Sequence, residues 1–561
     1  MKFEIVISAL ILILQPLLGS GTENPVVKIN NKDFKGTIKG VEKRNLSNQT
    51  FAAFLGIPYA KAPLGPLRFR DPQRPDRFEG TYEAIHEGFE CHSITATNAS
   101  EDCLNLNVYT RNLQPHQPLP VVIMIHPGGL YLGSSKWLEP TYLMEKDLVL
   151  VTFNYRLGTL GFLNLGSQLI PGNAGFKDQV LALQWVQRNI RNFGGNPQDV
   201  TLMGYSAGGL SVSLHLVSPM SKGLFHKAIM MSGSLPPQVV MPKGHQRYLA
   251  IRQAKRLKCP GFEELEEIQW SPQEPNKIPD YQDIKDEDIL MCLSNYSGKD
   301  IAAKLRQMFD FGKDNPIYLW LPVEEKDMGH GRFLEKDFYE TLAEMEDLNI
   351  PLLIGYTNGE FCSSAKDILS DEKLKAELEA NFFGLASRIF GYENWPRHKE
   401  ISQRIREHYF NGSSSFSTED FDGLCDLFSD SLIRFGAHRT AQVASEKGAD
   451  VYFYEFRYQE KSGGVDKDFP KKKDRVEHMQ DLQYLFNWSH RPQGNLSKEE
   501  LAIIGLYTDF VFDFVKNGKL SHKTAKTYPS GYAVLDKELE FKEGINFENL
   551  PFWLELFKGE K

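Results

Sequence analysis

The sequence predicts an α/β fold built on one large, mostly parallel mixed sheet flanked by helices on both faces. Three observations carry that expectation. Short apolar runs alternate with stretches of helical periodicity through the first half of the chain. Those runs are apolar at nearly every position, not at every second one. No Pro-, Ser- or Gly-rich linker divides the 561 residues into separate cores. A strand that is apolar throughout is buried on both faces, as in a parallel sheet covered by crossover helices.

Residues 119–125 (LPVVIMI) and 147–153 (DLVLVTF) are the first two such strands. From 177 to 192, Val180, Leu183, Val186 and Ile190 recur near helical spacing, and Gly194-Gly195 supplies a stop. A third strand is expected at 200–204, a helix at 210–217 and a fourth strand at 228–231. Residues 260–350 are acidic and read as helix-rich. Strands resume at 350–354 and 451–458. Residues 21–561 are therefore expected to form one domain.

Residues 1–20 read as a cleaved signal peptide. An apolar run from Ile5 to Leu18, broken by Ser8, Gln15 and Pro16, leads into small residues at Gly19, Ser20 and Gly21. Six cysteines and seven Asn-x-Ser/Thr triplets, at Asn45, Asn48, Asn98, Asn295, Asn411, Asn487 and Asn495, agree with a secreted, extracellular glycoprotein. Only some of those asparagines are expected to carry sugar. Lys and Arg number 64 against 73 Asp and Glu, a formal charge of −9. Such a balance repels phosphate backbones and argues against a nucleic-acid partner. No apolar stretch of about 18 residues follows the N-terminus, so no membrane span is expected. The basic run Lys471-Lys472-Lys473 reads as a solvated loop.

The chemistry is concentrated in Gly204-Tyr205-Ser206-Ala207-Gly208, a G-x-S-x-G set between a strand and a helix. A sharp strand-turn-helix elbow needs glycine on both sides of its serine, whose hydroxyl then stands clear of the sheet. Ser206 is the candidate nucleophile. Such a serine needs a base and a group to orient it, in the chain order serine, acid, histidine. Glu360 is the first carboxylate after the apolar run 351–355, and His478 is the first histidine beyond the strand at 451–458. Both are candidates. His126-Pro127-Gly128-Gly129-Leu130 follows the strand 119–125, where backbone N–H groups of Gly128 and Gly129, joined by Ala207, can form an oxyanion hole. This chemistry calls for no metal and no cofactor.

The chain resembles the type-B carboxylesterase/cholinesterase family of the α/β-hydrolase fold, particularly its secreted insect members. The likeness runs from about Pro25 to Phe557. It is carried by FLGIPYA at 54–60, LRF at 67–69, EDCLNLNV at 101–108, NYRLG at 154–158, GNAG at 172–175 and FGGNP at 193–197 leading into Ser206. The resemblance implies Ser206, Glu360 and His478 as the catalytic triad and Gly128, Gly129 and Ala207 as oxyanion donors. It implies disulfides Cys91–Cys103 and Cys259–Cys292, which leaves Cys362 and Cys425 over; they are expected free, with their pairing to each other left open. It also implies structural ion pairs Arg68–Glu101 and Arg156–Asp178.

Three positions depart from the family pattern. Tyr205 replaces the usual Glu or Gln before the nucleophile and removes a carboxylate from beside His478. Pro127 replaces the first glycine of the oxyanion motif without touching either matched donor, since the missing N–H belongs to Pro127 itself. Phe361 stands where a glycine usually follows the acid. The segment between Cys91 and Cys103 holds no tryptophan, so the aromatic platform for choline is absent there and acetylcholine is not expected.

These readings converge on a serine carboxylic-ester hydrolase acting on small-to-medium lipophilic esters such as hormone, pheromone, odorant or xenobiotic esters. The alternatives are a non-catalytic adhesion or binding protein on the same fold, a lipase working at an interface, and a slow-turnover protein sequestering esters or organophosphates. The partner is a small-molecule ester, and both monomer and homodimer are compatible with the sequence.

Overall fold

Eleven strands form the central sheet: β1 (Val41–Arg44), β2 (Thr50–Pro58), β3 (Asn105–Thr110), β4 (Leu119–Ile125), β5 (Val149–Phe153), β6 (Gly195–Tyr205), β7 (Lys227–Met231), β8 (Leu352–Thr357), β9 (Val451–Phe456), β10 (Gly531–Leu535) and β11 (Leu539–Glu543). Their spatial order is β11-β10-β9-β8-β7-β6-β4-β5-β3-β2-β1. The run from β5 through β4 and β6 to β10 is parallel, and the strands beyond it on either side are antiparallel. This is a computed structural model, and it describes residues 24–239, 244–265, 271–274, 281, 283–460, 469, 474–488 and 496–559. Residues 1–20, Lys471 to Lys473 and Asn495 lie outside the described residues.

The parallel centre is double-sided, as its apolar runs require. In β4, Val121, Ile123 and Ile125 join the core on one face, while Val122 and Met124 join the core on the other. Helix α1 (Ala174–Asn189) covers the first face with Phe176, Val180, Leu183 and Val186. A later helix, α2 (Ala207–Val217), packs Leu210, Val212 and Leu214 into the same core. On the opposite face lies a twenty-residue helix, Lys498–Asn517, with Ile503, Ile504, Phe510 and Phe514 turned inward. Ser497 and Glu500 cap its start reciprocally, and Gly518 at φ 67° ends it.

Sequence reading and structure part company in 260–350. Among the described residues that region holds only three short α-helices, Asp286–Ser294, Gly298–Lys304 and Phe338–Glu344, joined by irregular chain. Its acidic residues mimic helix-forming composition, but among the described residues prolines at 272, 316 and 322 stand against longer helical runs. The two expected ion pairs are present. Arg156 makes a fork to Asp178, Nε to Oδ2 at 2.8 Å and Nη2 to Oδ1 at 2.7 Å, and Arg68 makes the equivalent fork to Glu101. Neither touches Ser206, Glu360 or His478.

The cysteine expectation needs one correction. Cys91–Cys103 and Cys259–Cys292 are bridged as expected, but Cys362 and Cys425 are bonded to each other and not free. Helix α3 (Cys362–Ser370) packs against α4 (Phe421–Ser429), which brings their Cα atoms to 4.5 Å. The bridge closes a loop of 63 residues beginning two positions after Glu360. Replacing both cysteines by alanine is expected to lower stability by about 2–4 kcal/mol. Urea unfolding, together with non-reducing peptide mapping of the 362–425 pair, checks it.

Asn48, Asn98, Asn295, Asn411 and Asn487 are exposed. Asn45 is buried, donating to the Met144 carbonyl at 3.1 Å and accepting from the Gln49 N–H at 2.8 Å. Among the described candidates the fold favours it least as a glycan acceptor. Among the described residues no helix is long and apolar enough to cross a membrane.

Candidate active site

β6 ends at Tyr205, α2 begins at Ala207, and Ser206 alone makes the turn, at φ 54° and ψ −120°. A non-glycine residue there is strained by about 1–3 kcal/mol, so the surroundings must hold it. They do so closely. A Cβ at Gly204 would fall 2.2 Å from the Gly208 carbonyl oxygen, and one at Gly208 the same distance from that of Ile125. Only glycine fits either place. The Ser206 N–H donates to the Met231 carbonyl of β7 at 2.8 Å, which ties the elbow to the sheet.

Glu360 follows β8 and is fully buried. Its Oε1 accepts from the Thr357 N–H at 2.8 Å, and its own carbonyl accepts from the Ser429 hydroxyl of α4 at 2.8 Å. Burial alone would push its carboxyl up. The neighbouring His478 and the hydrogen bonds from His478 and Thr357 outweigh that and hold it below the ordinary glutamate value. Nδ1 of His478 lies 2.5 Å from Glu360 Oε2, and Nε2 lies 2.9 Å from Ser206 Oγ. A carboxylate only accepts, so Nδ1–H donates to Glu360 and leaves the Nε2 lone pair facing the serine hydroxyl. The structure therefore brings together three residues separated by 154 and 118 positions, in the order expected.

The acid and base loops are laced together by Asn358. Its Oδ1 accepts from the Val476 N–H at 2.7 Å and its Nδ2 donates to the Asp474 carbonyl at 2.9 Å. Sequence reasoning missed this residue, and also the group beneath the imidazole. The Tyr205 hydroxyl accepts from the Met479 N–H at 2.9 Å and donates to Asp481 Oδ1 at 2.6 Å. Tyr507 donates to Asp481 Oδ2 at 3.0 Å and lies 3.0 Å from the Tyr454 hydroxyl. Tyr205 thus replaces a carboxylate in sequence but holds another one in space.

Asp481 is buried among these hydroxyls, and burial pushes its carboxyl up to about 6, with the Glu360 charge adding to the effect. A carboxyl raised on folding makes the folded state bind more protons than the unfolded one between about pH 4 and 6, so stability falls as pH rises through that window. Asp481→Asn keeps an acceptor for Tyr205 and removes the charge. It is expected to raise stability at pH 7.5 by up to ~3 kcal/mol, with the gain vanishing toward pH 4. Urea melts of both proteins at the two pH values measure it.

Gly128 and Gly129 adopt φ 126° and 59°, and a Cβ on Gly129 would strike the Tyr131 ring at 2.3 Å. His126 braces this loop. Burial lowers its pKa to about 4, so it is neutral, with Nδ1 at 2.8 Å from the Pro127 carbonyl and its ring stacked on Tyr155 at 4.3 Å. Pro127 contributes that carbonyl, which needs no N–H. The Ala207 N–H is the first of α2, where helix geometry leaves the amide without an intrahelical acceptor. Gly129, Ser206 and Ala207 share one cavity of about 410 Å³ including its open mouth, walled by Leu130, Tyr318, Trp320, Leu321, Phe361 and Ile433. The wall is mainly apolar.

A serine on a strand-helix elbow, facing an imidazole that faces a buried carboxylate beside an apolar cavity, is equipped for acyl transfer. With the mostly parallel sheet beneath it, this defines an α/β-hydrolase. The carboxylesterase family model matches residues 23–549, and the chain belongs to that family. It is a carboxylic-ester hydrolase, and a small-molecule ester is its substrate. It is 31% identical over 473 residues to a juvenile hormone esterase of Tribolium castaneum, covering 80% of this chain and 77% of the relative. It is 34% identical over 459 residues to esterase FE4 of Myzus persicae, covering 78% and 74%. The crystal structure of juvenile hormone esterase from Manduca sexta, with OTFP covalently attached, matches with a TM-score of 0.78 at 27% identity, over 95% of this chain and 99% of that one.

Proposed function

We propose that this chain is a secreted esterase of small-to-medium lipophilic carboxylic esters, working through an acyl-enzyme on Ser206. The observation that carries the reading is the unbroken contact Ser206 Oγ–His478 Nε2–His478 Nδ1–Glu360 Oε2 at the apolar cavity. His478 takes the Ser206 proton as Oγ attacks the ester carbonyl, and Glu360 holds the imidazole tautomer and stabilises the imidazolium. The N–H groups of Gly128, Gly129 and Ala207 receive the oxyanion. The imidazolium returns its proton to the leaving alcohol, and water activated by His478 then releases the acid.

The cavity walls favour an aliphatic or aromatic acyl or alkoxy group over a charged one, since burying an unpaired charge is costly. Juvenile hormone, named for two of the relatives, is proposed as one such ester. Residues 1–20 are proposed as the signal peptide and 21–561 as one catalytic domain. A panel of p-nitrophenyl esters of increasing chain length, with a choline ester beside it, tests the substrate reading. Saturable turnover of monomeric apolar esters is expected. Activity only above the solubility limit would point to an interfacial lipase, and near-stoichiometric release without turnover to sequestration. Expression of the full chain in cultured insect cells tests secretion, with a mature N-terminus near Gly21 in the medium as the expected result.

A further inference from the structure

Phe361 carries a backbone conformation that does not suit it. Its φ is 56°, in the left-handed region where a bulky side chain is disfavoured. The chain around it is pinned. The Glu360 carbonyl accepts from Ser429, the Phe361 carbonyl accepts from the Ser364 N–H at 3.0 Å, and the Ser363 N–H donates to Glu477 Oε2 at 2.7 Å. Cys362 is bonded to Cys425. Strain held so firmly beside a reacting group calls for a functional reason. The ring provides one. It stacks on the His478 imidazole with centroids 4.2 Å apart and planes 22° from parallel. The Tyr205 ring touches the same imidazole at 5.3 Å, tilted by 58°.

We infer that Phe361 is a positioning residue for the base: its ring holds the His478 imidazole flat against rotation and stabilises the imidazolium formed when the Ser206 proton is taken up. This rests on the reading of Ser206, His478 and Glu360 given above. An aromatic face attracts a cation within about 6 Å and gains much less from a neutral imidazole. The interaction is therefore stronger in the transition state than before it, which raises kcat and not merely binding. Phe361 also walls the cavity, so a purely steric role would register in KM.

The test compares Phe361→Leu, Phe361→Tyr and Phe361→Gly in the full-length protein, with a short p-nitrophenyl ester as substrate and the rate of fluorophosphonate labelling at Ser206 as a second readout. Leucine keeps apolar bulk and loses the π face. Its kcat and its labelling rate are expected to fall together by roughly 5- to 30-fold, with KM changed by less than about 3-fold. Tyrosine restores the face and is expected to recover most of the loss. Glycine suits φ 56°, gives folded protein even where leucine does not, and is expected to show at least the leucine defect.

Unchanged kcat in folded Phe361→Leu or Phe361→Gly, a change in KM alone, or Phe361→Tyr as impaired as Phe361→Leu would overturn the inference. Failure of the underlying reading shows differently: wild type itself then takes no label at Ser206, and this inference falls with it.

Discussion

Ser206→Ala is expected to lower kcat/KM on a short-chain ester by roughly 10⁵- to 10⁶-fold while leaving the fold intact. The size follows from the contacts. Ser206 Oγ is the atom that His478 Nε2 faces at 2.9 Å, while the other hydroxyls lining the cavity are engaged elsewhere, Ser234 with Thr440 and Tyr318 with the Leu432 carbonyl. Without it no acyl-enzyme forms, and what remains is attack by water assisted by the oxyanion donors, a residual catalysis of roughly 10³-fold over solution. Alanine tolerates φ 54° about as poorly as serine, so the elbow's strain is unchanged and thermal unfolding is expected to move little. Measured side by side, intact thermal unfolding and near-complete loss of turnover separate a chemical defect from a structural one.

The second large effect is expected of Glu360→Gln, about 10⁴-fold in kcat. The amide keeps one oxygen for the Thr357 N–H, but whichever way it turns it must satisfy both that donor and His478 Nδ1. If its NH₂ faces Nδ1, that nitrogen becomes an acceptor and the proton moves to Nε2, where it meets the Ser206 hydroxyl with nothing to accept the serine proton. KM is expected to stay close to wild type, because Glu360 is fully buried and away from the cavity wall. The sign of the pH dependence follows from the lowered Glu360 carboxyl. Its contribution to stability is present above the ordinary glutamate value and is lost as pH falls through the lower folded value, so wild type loses this support on acidification and Glu360→Gln does not.

The centre of the fold was legible because buried parallel strands announce themselves. β4, β7 and β9 stand within a residue or two of the apolar runs at 119–125, 228–231 and 451–458. β3 did not show itself, although all six of its residues are buried. Its Asn107 reads as a loop residue. In the fold its Oδ1 accepts from the Gly56 N–H at 2.9 Å and its Nδ2 reaches Thr152 Oγ1 at 3.2 Å, and no one-dimensional pattern reveals such partners. β1 (VEKR) lies at the sheet edge, half exposed, and carries no apolar alternation strong enough to notice.

The site divides the same way. Ser206, Gly128 and Gly129 sit in local patterns whose geometry the residues themselves dictate. Glu360 and His478 came from chain order and from the resemblance, and the fold brought them together. Tyr205 and Asp481 are 276 residues apart, and their contact through a 2.6 Å hydrogen bond exists only once β6 and the base loop are packed. Phe361 was visible as an oddity after the acid, but the ring it faces was not.

The chemistry proposed for this site turns on Ser206 being an activated nucleophile. Brief treatment of the full-length protein with a fluorophosphonate, followed by intact-protein and peptide mass spectrometry, reports that activation. One adduct, on Ser206, abolished in His478→Ala, is the predicted result. Well-folded protein that takes no adduct, or takes it elsewhere with Ser206 unmodified, would show that Ser206 is not the nucleophile.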